Sequence, residues 1–484
     1  MNDKFKYLIV SLFCAATLSY GIMKYHAELA YLKDYIYGTY LELAETFFPL
    51  PENFTIINNR AYKKYVKTFT HLPRGSVHAG GIVLYQVHGT RDLDELAPDL
   101  IRYSEYYSES RLKSDMKKYN GLASNRLREN MTVIVPDAAP ALIIDTKNHS
   151  KPQLIAAKGL YFTGTSAGSP KFIDNLERYG KQGINTVVFD AKDITGIVNY
   201  YSRVNEVRKY DTHGKRTIGN IEKLIRMLKE NGFYTIARIA VFHDHLLRKK
   251  APQFAIRSKR TGGVWNPESK EKWCDPTSKK VQDYNIDIAL ELADRGVDEI
   301  QFDYIRFPTT GDLSDAGFKY DFGAMTNDES ITHFLRRAYR KISAHNARLS
   351  IDIFGVVAWG KAVDINNTGQ RIELLARSCD IISPMLYPSH FNDDFDGYPR
   401  PGDNPYYFIY NGCIKVARIA GGRSVVRPWL QAFRWNVSHY NTDYILTQIK
   451  ACNDSGTRGY LFWNSSNEYD TVLRALEEIN SKEN

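Results

Sequence analysis

Residues 296–308 read Gly-Val-Asp-Glu-Ile-Gln-Phe-Asp-Tyr-Ile-Arg-Phe-Pro, and this run decides the fold. It follows an amphipathic stretch from Lys279 to Arg295, and Gly296 falls where a helix closes in the left-handed conformation that glycine adopts without a Cβ penalty. Glu299 to Asp303 then reads as a short strand. Alternation puts Glu299, Gln301 and Asp303 on one face, with Asp303 at the strand's mouth. A helix closed by glycine and a short strand ending on an acid make one repeat of a larger pattern.

The pattern extends in both directions. Candidate strands cover residues 159–164, 186–190, 234–242, 299–303, 349–355, 381–387, 424–433 and 459–463. Amphipathic helices are expected between them at 170–179, 220–231, 279–295, 329–344, 369–377, 405–420 and 442–453, with 471–480 closing the ring. Gly183, Gly232 and Gly422 stand at helix ends as Gly296 does. Eight strand–helix units predict an α/β fold, a (β/α)8 TIM barrel over residues 158–484. A doubly wound open sheet is the competitor, but Gly164-Thr-Ser-Ala-Gly168 after the first strand has neither dinucleotide-binding nor P-loop spacing.

In such a barrel chemistry sits at the C-terminal ends of the strands. Those ends carry Asp190 and Lys192 on strand two, Asp303 and Arg306 on strand four, Asp352 on strand five and Tyr387 on strand six. Trp429 and Gln431 follow on strand seven and Trp463 on strand eight. Glycoside hydrolysis needs two carboxyl groups across the scissile bond, one protonated and one ionised. Asp303, as nucleophile or base, and Asp352, as acid, are the expected pair, with Arg306 and Lys192 as the cations that keep Asp303 charged. Trp429 and Trp463 suit sugar stacking, because aromatic faces pack on the apolar face of a pyranose. No cofactor motif occurs, and His243 and His245 lack the carboxylates that would complete a metal site.

Lys158-Gly-Leu-Tyr, Asn185-Thr-Val-Val-Phe-Asp-Ala-Lys-Asp, Glu299 to Pro308, Ile351-Asp-Ile-Phe-Gly and Ile382-Ser-Pro-Met-Leu-Tyr-Pro-Ser-His-Phe together resemble the putative glycosyl hydrolase domain family, from about Lys158 to Asp470. The resemblance implies an amylase-like TIM barrel. It also implies Asp190, Lys192, Asp303, Arg306, Asp352 and Tyr387 as pocket residues.

Upstream, Lys4 and Lys6 precede an apolar run from Tyr7 to Met23, so residues 1–24 read as a signal peptide or membrane anchor. Residues 25–77 read as a spacer and 138–157 as a linker. Between them, residues 78–137 carry strand, helix, helix, strand, and Tyr119-Asn-Gly-Leu with the run Leu127 to Pro136 resembles a LysM domain. That resemblance implies a small βααβ module for N-acetylglucosamine polymers such as peptidoglycan. The five cysteines show no paired spacing, and a net charge of +9 comes without a nucleic-acid-binding motif. The expectation is a secreted or membrane-anchored glycoside hydrolase of the cell envelope acting on a polysaccharide, with no nucleic-acid partner. The rival is a non-catalytic carbohydrate-binding scaffold on a degenerate barrel.

Overall fold

The computed structural model describes residues 76–79, 82–137, 151–318 and 325–483. The apolar segment before residue 25, the spacer to residue 75 and the linker from 138 to 150 lie outside the described residues. Among those described, no helix is long and apolar enough to cross a membrane. The chain divides into two compact units between residues 141 and 142.

The first unit is a small sheet with two helices. Strand Ile82–Gln86 pairs antiparallel with Ser76–Ala79 on one side and with Thr132–Val135 on the other. Helices Leu93–Leu100 and Glu109–Tyr119 lie between those strands in sequence, each begun by a side chain that accepts a backbone N–H, Asp92 from Asp94 and Ser108 from Arg111. Val83, Leu96, Leu112, Met116 and Val133 fill the core. Asn120 joins helix to strand: its amide donates to Met116 O (2.8 Å) and Ile134 O (3.0 Å), and its oxygen accepts from Ile134 N at 2.7 Å.

The second unit is the closed barrel. Its strands are Ala157–Phe162, Thr186–Lys192, Tyr234–Ala240, Glu299–Asp303, Arg348–Phe354, Ile381–Met385, Trp429–Gln431 and Gly459–Trp463, all parallel. Each pairs with its sequence neighbour, and the eighth returns to the first through Leu461 opposite Gly159. Strands buried on both faces explain the near-continuous apolar runs in the sequence. Helices Ile221–Glu230, Lys279–Asp294, Asn327–Ala344, Pro405–Ala420 and Thr442–Asp454 follow the second, third, fourth, sixth and seventh strands, as βα crossovers require. Gly183 and Gly296 take φ of 82° and 94° at the turns into strands, where a side chain would be strained.

Two details depart from expectation. The seventh strand is interrupted: Val425–Val426 pairs with the sixth strand, and pairing resumes at Trp429. Pro428 between them has no N–H to donate, though its carbonyl accepts from Leu461 N. The helix expected at 369–377 is instead two short ones, Ala362–Thr368 and Ile372–Leu375. At the barrel's N-terminal end Arg427 reaches inward to pair bidentately with Glu299, which also accepts from the Tyr234 hydroxyl at 3.1 Å.

Candidate active site

The site is organised around a residue that the sequence reading did not single out. Arg238 lies opposite Asp190 on the second strand and Gln301 on the fourth. Its guanidinium is buried inside the barrel, where an isolated cation is unfavourable, and carboxylates of neighbouring strands meet it. Nη1 is 2.5 Å from Asp190 Oδ1, while Nη2 and Nε lie 2.5 and 3.1 Å from Asp303 Oδ2. Burial opposes the Arg238 charge, but Asp190 and Asp303 outweigh it and hold the guanidinium well above its ordinary range. Tyr161 supports the pair from the first strand, donating its hydroxyl to Asp190 Oδ2 at 2.5 Å with its ring beneath the guanidinium. Burial raises the Asp190 carboxyl, with the Arg238 charge acting against it.

Asp303 is held on its other oxygen too. Tyr304 adopts φ of 53°, the left-handed region that bulky residues avoid at a cost of about 1–2 kcal/mol. That conformation aims the Tyr304 backbone N–H at Asp303 Oδ1, 2.6 Å away. The carboxylate is therefore oriented from two sides, and strain next to a charged group at a strand mouth is the kind of feature that function retains.

Asp352 adjoins this pair. Its Oδ2 lies 3.9 Å from Arg238 Nε, the same nitrogen that bonds Asp303 Oδ2 at 3.1 Å, so the two carboxyl oxygens are at most about 7 Å apart. Its Oδ1 accepts from Trp429 Nε1 at 2.7 Å, and Oδ2 has no hydrogen-bond partner among the described residues. Burial, reinforced by the Asp303 charge, pushes the Asp352 carboxyl well above the usual range, so it holds its proton. With 1% of its surface exposed, however, Asp352 is buried at its hydrogen bond from Trp429.

Above Asp303 opens a cleft of about 340 Å³, the size of a small-ligand pocket. Arg238, Asp303 and the aromatic rings of Tyr304, Phe354, Tyr387, Phe391, Trp429 and Trp463 line it, with His390 at its side. Trp463 stacks on Tyr161 at 6.2 Å and packs on Tyr387 at 5.8 Å. Burial, before any other cause, raises the Tyr387 hydroxyl well above its usual range, so it stays protonated.

The barrel thus brings together Asp190, Asp303, Asp352, Tyr387, Trp429 and Trp463. Three expected residues stand elsewhere. The pairing register shifts between Asp190 and Lys192, and this irregularity turns Lys192 away from Asp303; its ammonium is fully buried against Asp244 at 2.7 Å and the Ala240 carbonyl. Arg306 is not the cation on Asp303 either, because its guanidinium lies over the rings of Phe354 (4.2 Å) and Trp273 (4.6 Å) and donates to Phe307 O. Gln431 is fully buried and spends its amide on backbone: Oε1 accepts from Ser389 N, and Nε2 donates to the carbonyls of Phe433 and Trp435. Burial pushes His243 down to about 4, and its Nε2 accepts from Lys272 N. Among the described residues, no group of three or more His, Cys, Asp or Glu could hold a metal ion.

The putative glycosyl hydrolase domain family matches residues 159–469. No curated protein matches the chain. Among solved structures, a hypothetical protein from Ruminiclostridium thermocellum ATCC 27405 is 33% identical, with 40% of this chain and 96% of that chain covered and a TM-score of 0.36. The PgaB (BpsB) glycoside hydrolase domain from Bordetella bronchiseptica is 13% identical, with 67% of this chain and 98% of that chain covered and a TM-score of 0.50, a likeness of fold. A class V chitinase from Pseudomonas fluorescens Pf-5 is 13% identical, with 66% and 98% covered and a TM-score of 0.42.

Proposed function

The chain belongs to the putative glycosyl hydrolase domain family, and from that membership we propose that it hydrolyses glycosidic bonds of an envelope or extracellular polysaccharide, with Asp303 as nucleophile or base. One observation carries the reading: a carboxylate gripped by a buried arginine faces an aromatic-walled cleft at the C-terminal mouth of the barrel. The Arg238 fork and the Tyr304 N–H fix Asp303's direction, and the rings offer apolar faces to a pyranose. Burial and the neighbouring Asp303 push the Asp352 carboxyl well above the usual range, so it keeps its proton. In this arrangement the buried Asp352 serves the reaction by holding that proton; the acid role expected of it requires access from the cleft that its burial does not give. The envelope location and the membrane or signal role of residues 1–24 belong to this proposal, as does glycan binding by the LysM-like unit, which would raise local substrate concentration.

A second reading, saccharide binding without cleavage, is favoured by one fact. Asp303 is the sole carboxylate among the residues lining the cleft. Incubating the purified chain with peptidoglycan, chitin and α- and β-glucans, and reading products by mass, separates the two. Asp303→Asn is expected to lower product release at least about 1000-fold while leaving polymer binding in place. Undiminished turnover in that variant removes Asp303 from the chemistry.

A further inference from the structure

We propose that Trp435 is a stacking platform for an outer sugar residue of an extended polysaccharide, placed beyond the rings that line the cleft. The proposal rests on the carbohydrate-active reading above and names the form of its ligand: a chain of several sugars.

Among the six tryptophans Trp435 stands apart, with 55% of its surface exposed, whereas Trp265, Trp273 and Trp429 are buried. An indole left in water forgoes the stabilisation that burial of so large an apolar surface brings. Yet it is held in place. Its carbonyl accepts from Gln431 Nε2 at 3.3 Å, its ring packs edge-on against His390 at 5.0 Å, and Asn436 after it takes φ of 47° and donates to Ser389 O at 3.5 Å. The buried Gln431 amide binds both sides of this arrangement, since it also accepts from Ser389 N and donates to Phe433 O. One side chain therefore ties the turn carrying His390 to the loop carrying Phe433 and Trp435.

The rings form a continuous series. Trp463 packs on Phe433 at 5.4 Å, Phe433 on His390 at 5.6 Å and His390 on Trp435 at 5.0 Å. Trp463 and His390 line the cleft and Trp435 lies in solvent, so the series leads from the space above Asp303 to the outside. A single sugar over Asp303 would leave the outer ring unused. A polysaccharide running outward would cover it, each stacked residue adding affinity without a charged contact.

The test uses the full chain and the variants Trp435→Ala and Trp435→Phe. Co-sedimentation with chitin, peptidoglycan, cellulose and starch granules measures binding; product release from those polymers and from nitrophenyl monosaccharides measures turnover. Trp435→Ala is expected to weaken binding to the recognised polymer about tenfold, and to lower the polymer-to-monosaccharide ratio of kcat/KM by a similar factor, with Trp435→Phe restoring most of both. Wild-type binding and an unchanged ratio in Trp435→Ala overturn the platform. If a polymer sediments the chain without being cleaved, the hydrolase reading fails and Trp435 is judged on sedimentation alone. If no polymer sediments the wild-type chain, the platform falls whatever is cleaved.

Discussion

Arg238 grips one oxygen of Asp303 twice, through Nη2 at 2.5 Å and Nε at 3.1 Å, while its third nitrogen holds Asp190 at 2.5 Å. Three carboxyl groups, those of Asp190, Asp303 and Asp352, therefore share one cation inside a barrel from which water is largely excluded.

The fork is what a lysine cannot supply, since an ammonium on a flexible stem cannot hold two carboxylates at fixed angles. Arg238→Lys is expected to lower turnover of the cleaved polymer at least about 100-fold, with the chain still folded by circular dichroism. Turnover within tenfold of wild type would show that Asp303 orients itself.

Asp352 yields a pH prediction. An unfolded aspartate titrates near about 3.9, and in the fold its value lies well above that. Between the two values the folded chain keeps a proton that the unfolded chain has released, so this group's contribution to stability declines as pH rises through that window. Asp352→Asn cannot titrate and retains the acceptor for Trp429. The thermal midpoint of the variant relative to wild type is expected to improve as pH rises above the unfolded value of about 3.9. A difference that does not change with pH would mean that Asp352 is ionised in the fold.

At the opposite end of the barrel, Arg427→Met strands the Glu299 carboxylate without its cation, which costs about 3–5 kcal/mol in chemical denaturation. Adding Glu299→Met to that variant should recover most of the loss, because a paired removal leaves no orphaned charge. A single variant as stable as wild type would contradict the buried pair.

In the first unit, Asn120→Ala deletes two hydrogen bonds to Ile134 of the return strand and one back to Met116 of the helix. Hydrogen exchange of the amides at 132–135 should quicken by the equivalent of about 2 kcal/mol, with the barrel amides unaffected. Unchanged protection there would show that the packing around Met116 suffices without the amide.

The barrel was legible in the sequence because its signal repeats: strands 299–303 and 459–463 were read to the residue, and the glycine before the fourth strand marked its turn. Asp303 was legible for the same reason, as an acid at the mouth of an apolar strand. Arg238 was not, since it stands within Tyr234–Ala240 and its partners come from residues 48 and 65 positions away. A lone cation on the inward face of a buried strand was the available signal. Lys192 misled because strict alternation places it beside Asp190, and one irregularity in pairing cancels that inference for every residue after it. Gln431 misled differently: its position at a strand end was read rightly, but its amide faces backbone rather than the cleft.

Closure of the sheet, eighth strand against first, has a consequence beyond positioning the site. Every barrel strand has a neighbour on each side, so the barrel offers no unpaired row of peptide groups to a passing chain. Crowded together on a polymer surface, copies of this barrel would find no place to extend one another's sheets, and concentration at a substrate would not become a route to fibres.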